Sequence, residues 1–253
     1  MSESKKSTRE KAASARAAAE ASERRRERTV RIAIIGVVAV VVLGIIGAVL
    51  WTTRSKPAPT PDNTALPAGV TAPEYGTSVG TAAKPVLDIY EDFQCPACAQ
   101  FEKAAGATID ELVASGQVKV VYHPMNFLDA NLRNDSSTRA AAAFGCAVDA
   151  GVTLKYHDVV FTNQPTTEGV GYTDDQLKAF GEQAGLSGAQ LDTFKACVDA
   201  KTYTGWPTLS NQAASERGVT GTPALFLNGT KLTTEDLSSA EAFKAKILAA
   251  AGQ

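Results

Sequence analysis

Asp92-Phe93-Gln94-Cys95-Pro96-Ala97-Cys98 is the stretch that decides how this chain is read. Two cysteines separated by two residues can close a disulfide that an incoming thiolate reopens, which is the chemistry of a dithiol redox centre. Upstream, Val86 to Phe93 is apolar and partly alternating, as a strand is; downstream, Phe101, Ala105, Ile109 and Leu112 recur at helical spacing. Cys95 therefore stands where a strand passes into a helix. Pro96 suits the first helical position, because its fixed φ is already helical and the N–H it lacks would have no partner there. The free backbone N–H groups and the positive end of the helix dipole then face the Cys95 sulfur and favour thiolate over thiol. Cys95 is the expected nucleophile, and Cys98, one turn further in, the expected resolving thiol.

Length and charge set the surroundings of this motif. The chain has 253 residues, 44% of them apolar, which is ordinary for a globular core. Its net charge of -2 conceals an asymmetry: residues 1–31 carry a balance of +5 and the remainder -7. Nothing in the larger part points to nucleic-acid binding. Residues 32–51 are uncharged throughout, long enough as a helix to cross a bilayer core of roughly 30 Å, and predict one transmembrane helix. The basic cluster Arg24, Arg25, Arg26, Arg28 and Arg31 before it predicts a cytoplasmic N-terminus, and Trp51 suits the far interface. A cleaved signal peptide is the rival reading, but the apolar run is long for one and no convincing small-x-small cleavage site follows.

The expected organisation is a basic cytoplasmic tail over 1–31, the membrane helix over 32–51, a Pro-rich flexible linker over 52–81 and a folded extracytoplasmic domain over 82–253. The tail has too few bulky apolar residues for a core and suits contact with anionic lipid. Pro57, Pro59, Pro61, Pro67 and Pro73 make the linker semi-extended. Within the domain, Gln117 to Pro124 alternates as a second strand. A helical block occupies about 136–217, and Ala224–Leu227, Asn228-Gly229 and Thr230–Leu232 read as a hairpin. Glu235–Ala250 reads as a closing helix. Four cysteines in an exported domain imply oxidising surroundings and allow three complete pairings. Proximity makes Cys95 with Cys98 the simplest, leaving Cys146 with Cys197 as a structural disulfide within the helical block.

The order of strand, Cys-Pro-x-Cys helix, strand, helical block, Gly-Thr-Pro before a hairpin and final helix resembles an α/β thioredoxin fold with a helical insertion. More specifically, Tyr90 to Cys98 and Gly218 to Gly229 resemble the membrane-anchored DsbA-like thiol-disulfide oxidoreductases, over about residues 76–253. That resemblance implies a cis peptide bond before Pro223, packed beside the redox cysteines, with Thr222 offering backbone groups to a bound substrate chain. It implies no cofactor. It also implies exported thiol-bearing proteins as substrates and a quinone-coupled reoxidase of DsbB or vitamin K epoxide reductase type as partner.

Two residues depart from the family pattern. Ile89 stands where many relatives bury a carboxylate beneath the disulfide, and Ala97 stands where the strongly oxidising DsbA centre has His. Asp88, Glu91 and Asp92 are expected as surface charges at the strand end, the alternative being that one of them acts in place of the missing carboxylate through water. The direction of electron flow therefore stays open between an oxidase and a reductase or isomerase, with a non-catalytic tethered binding module as the reading from another class. No metal is expected, because Cys-x-x-Cys is half a zinc site and the chain offers only His123 and His157 to complete it. Neither histidine is near Cys95 in sequence, as a cysteine hydrolase would need in space.

Overall fold

The computed structural model describes residues 65–252. The expected tail over 1–31 and membrane helix over 32–51 lie outside the described residues; within them no helix is long and apolar enough to cross a membrane.

Five strands form one sheet in the order β1-β3-β2-β4-β5: β1 (Thr77–Val79), β2 (Val86–Glu91), β3 (Lys119–Pro124), β4 (Ala224–Leu227) and β5 (Thr230–Lys231). β2 and β3 run parallel, joined through α1 (Pro96–Ala114), whereas β1 on β3, β4 on β2 and β5 on β4 are antiparallel. Parallel neighbours need a crossover, and α1 supplies it. The β4–β5 turn has positive φ at both Asn228 (49°) and Gly229 (81°), the backbone that a two-residue hairpin requires and that Asn-Gly adopts most readily. Asn228 also ties the turn to the central strand: its N–H donates to the Val86 carbonyl at 2.8 Å, and the Val86 N–H donates to its Oδ1 at 3.0 Å.

Between β3 and β4 lie α2 (Phe127–Leu132), α3 (Ser136–Asp149), α4 (Thr153–Thr162), α5 (Asp174–Gln183), α6 (Gly188–Asp199) and α7 (Trp206–Glu216); α8 (Ala240–Ala250) closes the domain. Strand alternation divides the sheet into two faces. Leu87, Ile89, Val120 and Tyr122 belong to the larger core with Ile109 and Leu112 of α1, Phe144 of α3, Val160 of α4 and Phe243 and Ile247 of α8. Tyr90 and Phe226 belong to a smaller cluster with Ala214 and Val219 at the end of α7. α3 and α6 are joined by the Cys146–Cys197 disulfide, with Cα atoms 5.9 Å apart. At the α5–α6 contact a Cβ on Gly181 would lie 2.4 Å from the Phe194 ring, so only glycine admits that approach.

Three boundaries differ from the sequence reading. Residues 65–81 are folded, not linker: Val70 is buried in the main core, Pro67 packs near Gly145 of α3, and Thr77, Ser78 and Val79 pair with Tyr122, Val121 and Val120. Three strand residues are too few to show alternation, and backbone pairing needs none. The helical block begins at Phe127 rather than near 136. The last helix starts at Ala240 rather than Glu235, because Ser239 caps it through Ala242 N–H to Ser239 Oγ (3.1 Å) and Asp236 is engaged in a turn with Thr233.

Candidate active site

Cys95 is the N-cap of α1, in extended conformation (φ -75°, ψ 118°), with Pro96 in the first turn. Its own N–H donates to the Asp92 carbonyl at 2.8 Å, which closes a tight turn out of β2. Pro96 and Ala97 face solvent, Cys95 is 7% exposed and Cys98 is fully enclosed. Both cysteines are free thiols in this structure. The Cys95 sulfur lies 3.5 Å from the Thr222 carbonyl oxygen, and the Thr222–Pro223 bond is cis, so the loop before β4 sits directly over the nucleophile.

The two thiols differ in acidity. The Cys98 thiol, donating to the Cys95 sulfur, leads the effects that hold Cys95 down at about 6; burial opposes it, while Thr222 and the backbone N–H groups of Cys98 and Ala97 assist. Cys98 is pushed well above the ordinary thiol range, first by burial, then by its contact with Cys95 and by the negative charge of Glu91. At neutral pH the pair therefore holds one proton, on Cys98, beside a thiolate on Cys95. A low-pKa thiolate at a helix N-terminus beside a protonated partner can attack, or be attacked at, a disulfide sulfur.

A polar network fixes the loop that carries Cys95. Asp92, fully buried, accepts from Gln94 N–H (2.9 Å), Ser137 Oγ (2.6 Å) and Leu128 N–H (3.2 Å). Burial pushes its carboxyl up to about 7 despite those donors. Gln94 Nε2 lies within hydrogen-bond distance of Ser137 Oγ, Asp129 Oδ1 and Asn134 Oδ1, so the residue before Cys95 is fastened to α2 and α3. From the other side Gln164 Nε2 donates to the carbonyls of Phe93 (2.9 Å) and Cys95 (3.0 Å), and Tyr172 Oη donates to Phe93 O (3.1 Å). Helical insertion and redox loop are thus one hydrogen-bonded unit.

The three acidic residues expected at the surface are buried, each against a partner on another element. Asp88, on the α7 face, meets His123 Nε2 at 3.0 Å and Arg217 Nη2 at 3.2 Å, and His123 stacks on Tyr90 with ring centroids 4.2 Å apart. Glu91, on the opposite face, meets His157 Nε2 at 3.0 Å, and His157 Nδ1 lies 4.0 Å from Glu102 Oε2 and 3.9 Å from Asp158 Oδ1. Charges near a strand end read as solvated because their partners, at positions 102, 123, 157 and 217, come from distant segments. Desolvation would lower the His157 pKa, but Glu102, Asp158 and Glu91 outweigh it and push it up to about 10. Burial first, then the Glu91 charge, push Glu102 well above the carboxylate range. The imidazolium and a proton held at Glu102 thus offset the two buried carboxyls. Glu91, Glu102 and His157 bring one donor atom each within 4.8 Å of one another. Three such donors are the minimum of an open metal site and one fewer than a closed structural zinc site.

Of the residues expected at the site, Cys95, Cys98, Thr222 and Pro223 come together at the head of α1, and Cys146 and Cys197 are bonded to each other away from it. Asp92, Gln94, Ser137, Gln164 and Tyr172, which hold the loop, carry no local sequence signal. The chain is similar to several proteins of known structure. It is 27% identical to oxidised DsbA of Mycobacterium tuberculosis, with a TM-score of 0.59 over 70% of this chain and 93% of that one. It is 28% identical to the reduced disulfide bond oxidoreductase DsbG of the same species, with a TM-score of 0.59 over 73% and 91%. The serine/threonine-protein kinase PknE of M. tuberculosis is 28% identical over 159 residues, which is 60% of this chain but 28% of that protein. Such a fraction carries no activity of the whole kinase. Residues 74–248 match the thioredoxin family model, so the chain, whose structural neighbours include DsbA- and DsbG-type thiol-disulfide oxidoreductases, belongs to the thioredoxin family.

Proposed function

We propose that this chain is an extracytoplasmic thiol-disulfide oxidase, held at the cell membrane by the apolar segment at 32–51, that introduces disulfides into exported proteins. The observation that supports this reading is the unequal acidity of the pair. A Cys95 thiolate favoured down to about pH 6 stabilises the reduced form, and a stabilised reduced form makes its disulfide a stronger oxidant. In the oxidised enzyme a substrate thiolate attacks the Cys95 sulfur; the Cys95–Cys98 bond breaks, and its electron pair leaves on Cys98, which takes up a proton. A second substrate thiol, as thiolate, then attacks the mixed disulfide at the substrate sulfur. The substrate leaves with its disulfide closed and Cys95 leaves as thiolate. Thr222 supports this reading from its place over Cys95, where its backbone can pair with an extended substrate. Reoxidation falls to a partner of DsbB or vitamin K epoxide reductase type, and the anchor keeps the domain near it.

Cys98→Ser removes the thiol that can displace a bound substrate by re-forming the Cys95–Cys98 bond, and should trap exported proteins as mixed disulfides on Cys95, visible as adducts that a reductant releases. Cys95→Ser should show none. Equal recovery from both variants, or from neither, contradicts the proposal. A reductase or isomerase would use the same sulfur atoms in the other direction and differs in potential. A docking module without chemistry has no use for a thiolate beside a buried thiol.

A further inference from the structure

Along α1, starting beside the exposed Pro96, runs an open groove of about 770 Å³ between that helix and the end of α4 with the segment after it. Ala99, Gly106 and Ala107 on one wall and Phe161 and Pro165 on the other leave room for a backbone with small or apolar side chains. At its far end Asp110 of α1 faces Asp158 of α4, and after burial it is the Asp158 charge that most raises the Asp110 carboxyl, to about 6. Midway, Glu102 borders the groove with its carboxyl buried against His157, Oε2 lying 4.0 Å from Nδ1. Lys103 is the one cation among the groove's lining residues. A channel that begins at Pro96, next to the nucleophile, with the Asp110 and Asp158 carboxylates against one ammonium, is complementary to a positively charged peptide.

We infer that this groove receives the substrate polypeptide flanking the reacting cysteine, and that the Asp110–Asp158 pair selects substrates with a Lys or Arg about six residues from that cysteine. The spacing follows from geometry. Asp110 lies about 21 Å beyond Pro96 on a helix rising ~1.5 Å per residue, and an extended peptide covers that distance in about six residues at ~3.3 Å each. The inference rests on Cys95 being the thiol-exchange centre and adds a substrate class to it.

The test uses the oxidised full chain and reduced single-cysteine peptides carrying Lys, Ala or Glu six residues before or after the cysteine. The readout is the rate at which the Cys95–Cys98 disulfide opens. The Lys peptide of one series should react about two- to fivefold faster than its Ala counterpart, as expected of one ion pair, and the Glu peptide slower. The preference should shrink in ~1 M salt, where screening extends to about 3 Å, and Asp110→Asn should bring the Lys-to-Ala ratio close to one. Equal rates for all peptides with wild-type protein, or a Lys preference that survives both salt and Asp110→Asn, overturn the inference and leave the oxidoreductase reading standing. No reaction with any peptide overturns both.

Discussion

At the scale of single residues, function depends on the unequal protonation of two thiols one helical turn apart. Cys95 should alkylate with a midpoint near pH 6 in the reduced protein: the thiolate is the reactive form, so the rate falls as pH drops through that value and is flat above it. A midpoint in the ordinary thiol range near 8.5, followed by mass spectrometry of the alkylated peptide, contradicts the arrangement. This asymmetry was legible, because Pro96 and the helical spacing after it place Cys95 at a cap from local information alone. The buried partners were not. Glu91, Glu102 and His157 come from a strand and two helices, and only the closed fold shows that a charge at the end of β2 meets an imidazole 66 positions away. Ile89 is an apolar core residue, and the carboxylate whose charge reaches Cys98 is Glu91.

At the scale of elements, the loop between β2 and α1 is held by the helical insertion. Asp92→Ala leaves Gln94 N–H, Leu128 N–H and Ser137 Oγ without their acceptor, so it should destabilise the fold by about 1–3 kcal/mol in denaturant unfolding, the usual cost of orphaned buried groups. A loss of only a few tenths would mean that the loop is held without this network. The Cys146–Cys197 bridge acts elsewhere. Closing a loop of 51 residues, its replacement by serines should cost about 2–4 kcal/mol while leaving the Cys95 alkylation midpoint in place. A shift of that midpoint would show that the bridge also shapes the redox site. Periodicity predicted the long helices and the Asn-Gly hairpin well. It missed β1 and α2, which are too short to show a period, and it began the last helix early because apolar Leu237 extends the pattern past the Ser239 cap.

At the scale of the whole molecule, the sheet order and the helical block between β3 and β4 bring the Cys95 turn and the Thr222–Pro223 loop together where the groove along α1 begins. The domain's N-terminal edge extends before the expected boundary. A chain beginning at residue 82 loses β1 and Val70, bares the edge of β3, and should unfold at a markedly lower temperature than one beginning at residue 65. Equal melting temperatures would return 65–81 to the linker. The central claim is the direction of electron flow, and it is tested most directly by equilibrating Cys95 and Cys98 with glutathione and reading the dithiol fraction. An oxidase of the proposed kind gives a potential toward the DsbA value of about -120 mV; a value near that of thioredoxin, about -270 mV, would contradict it.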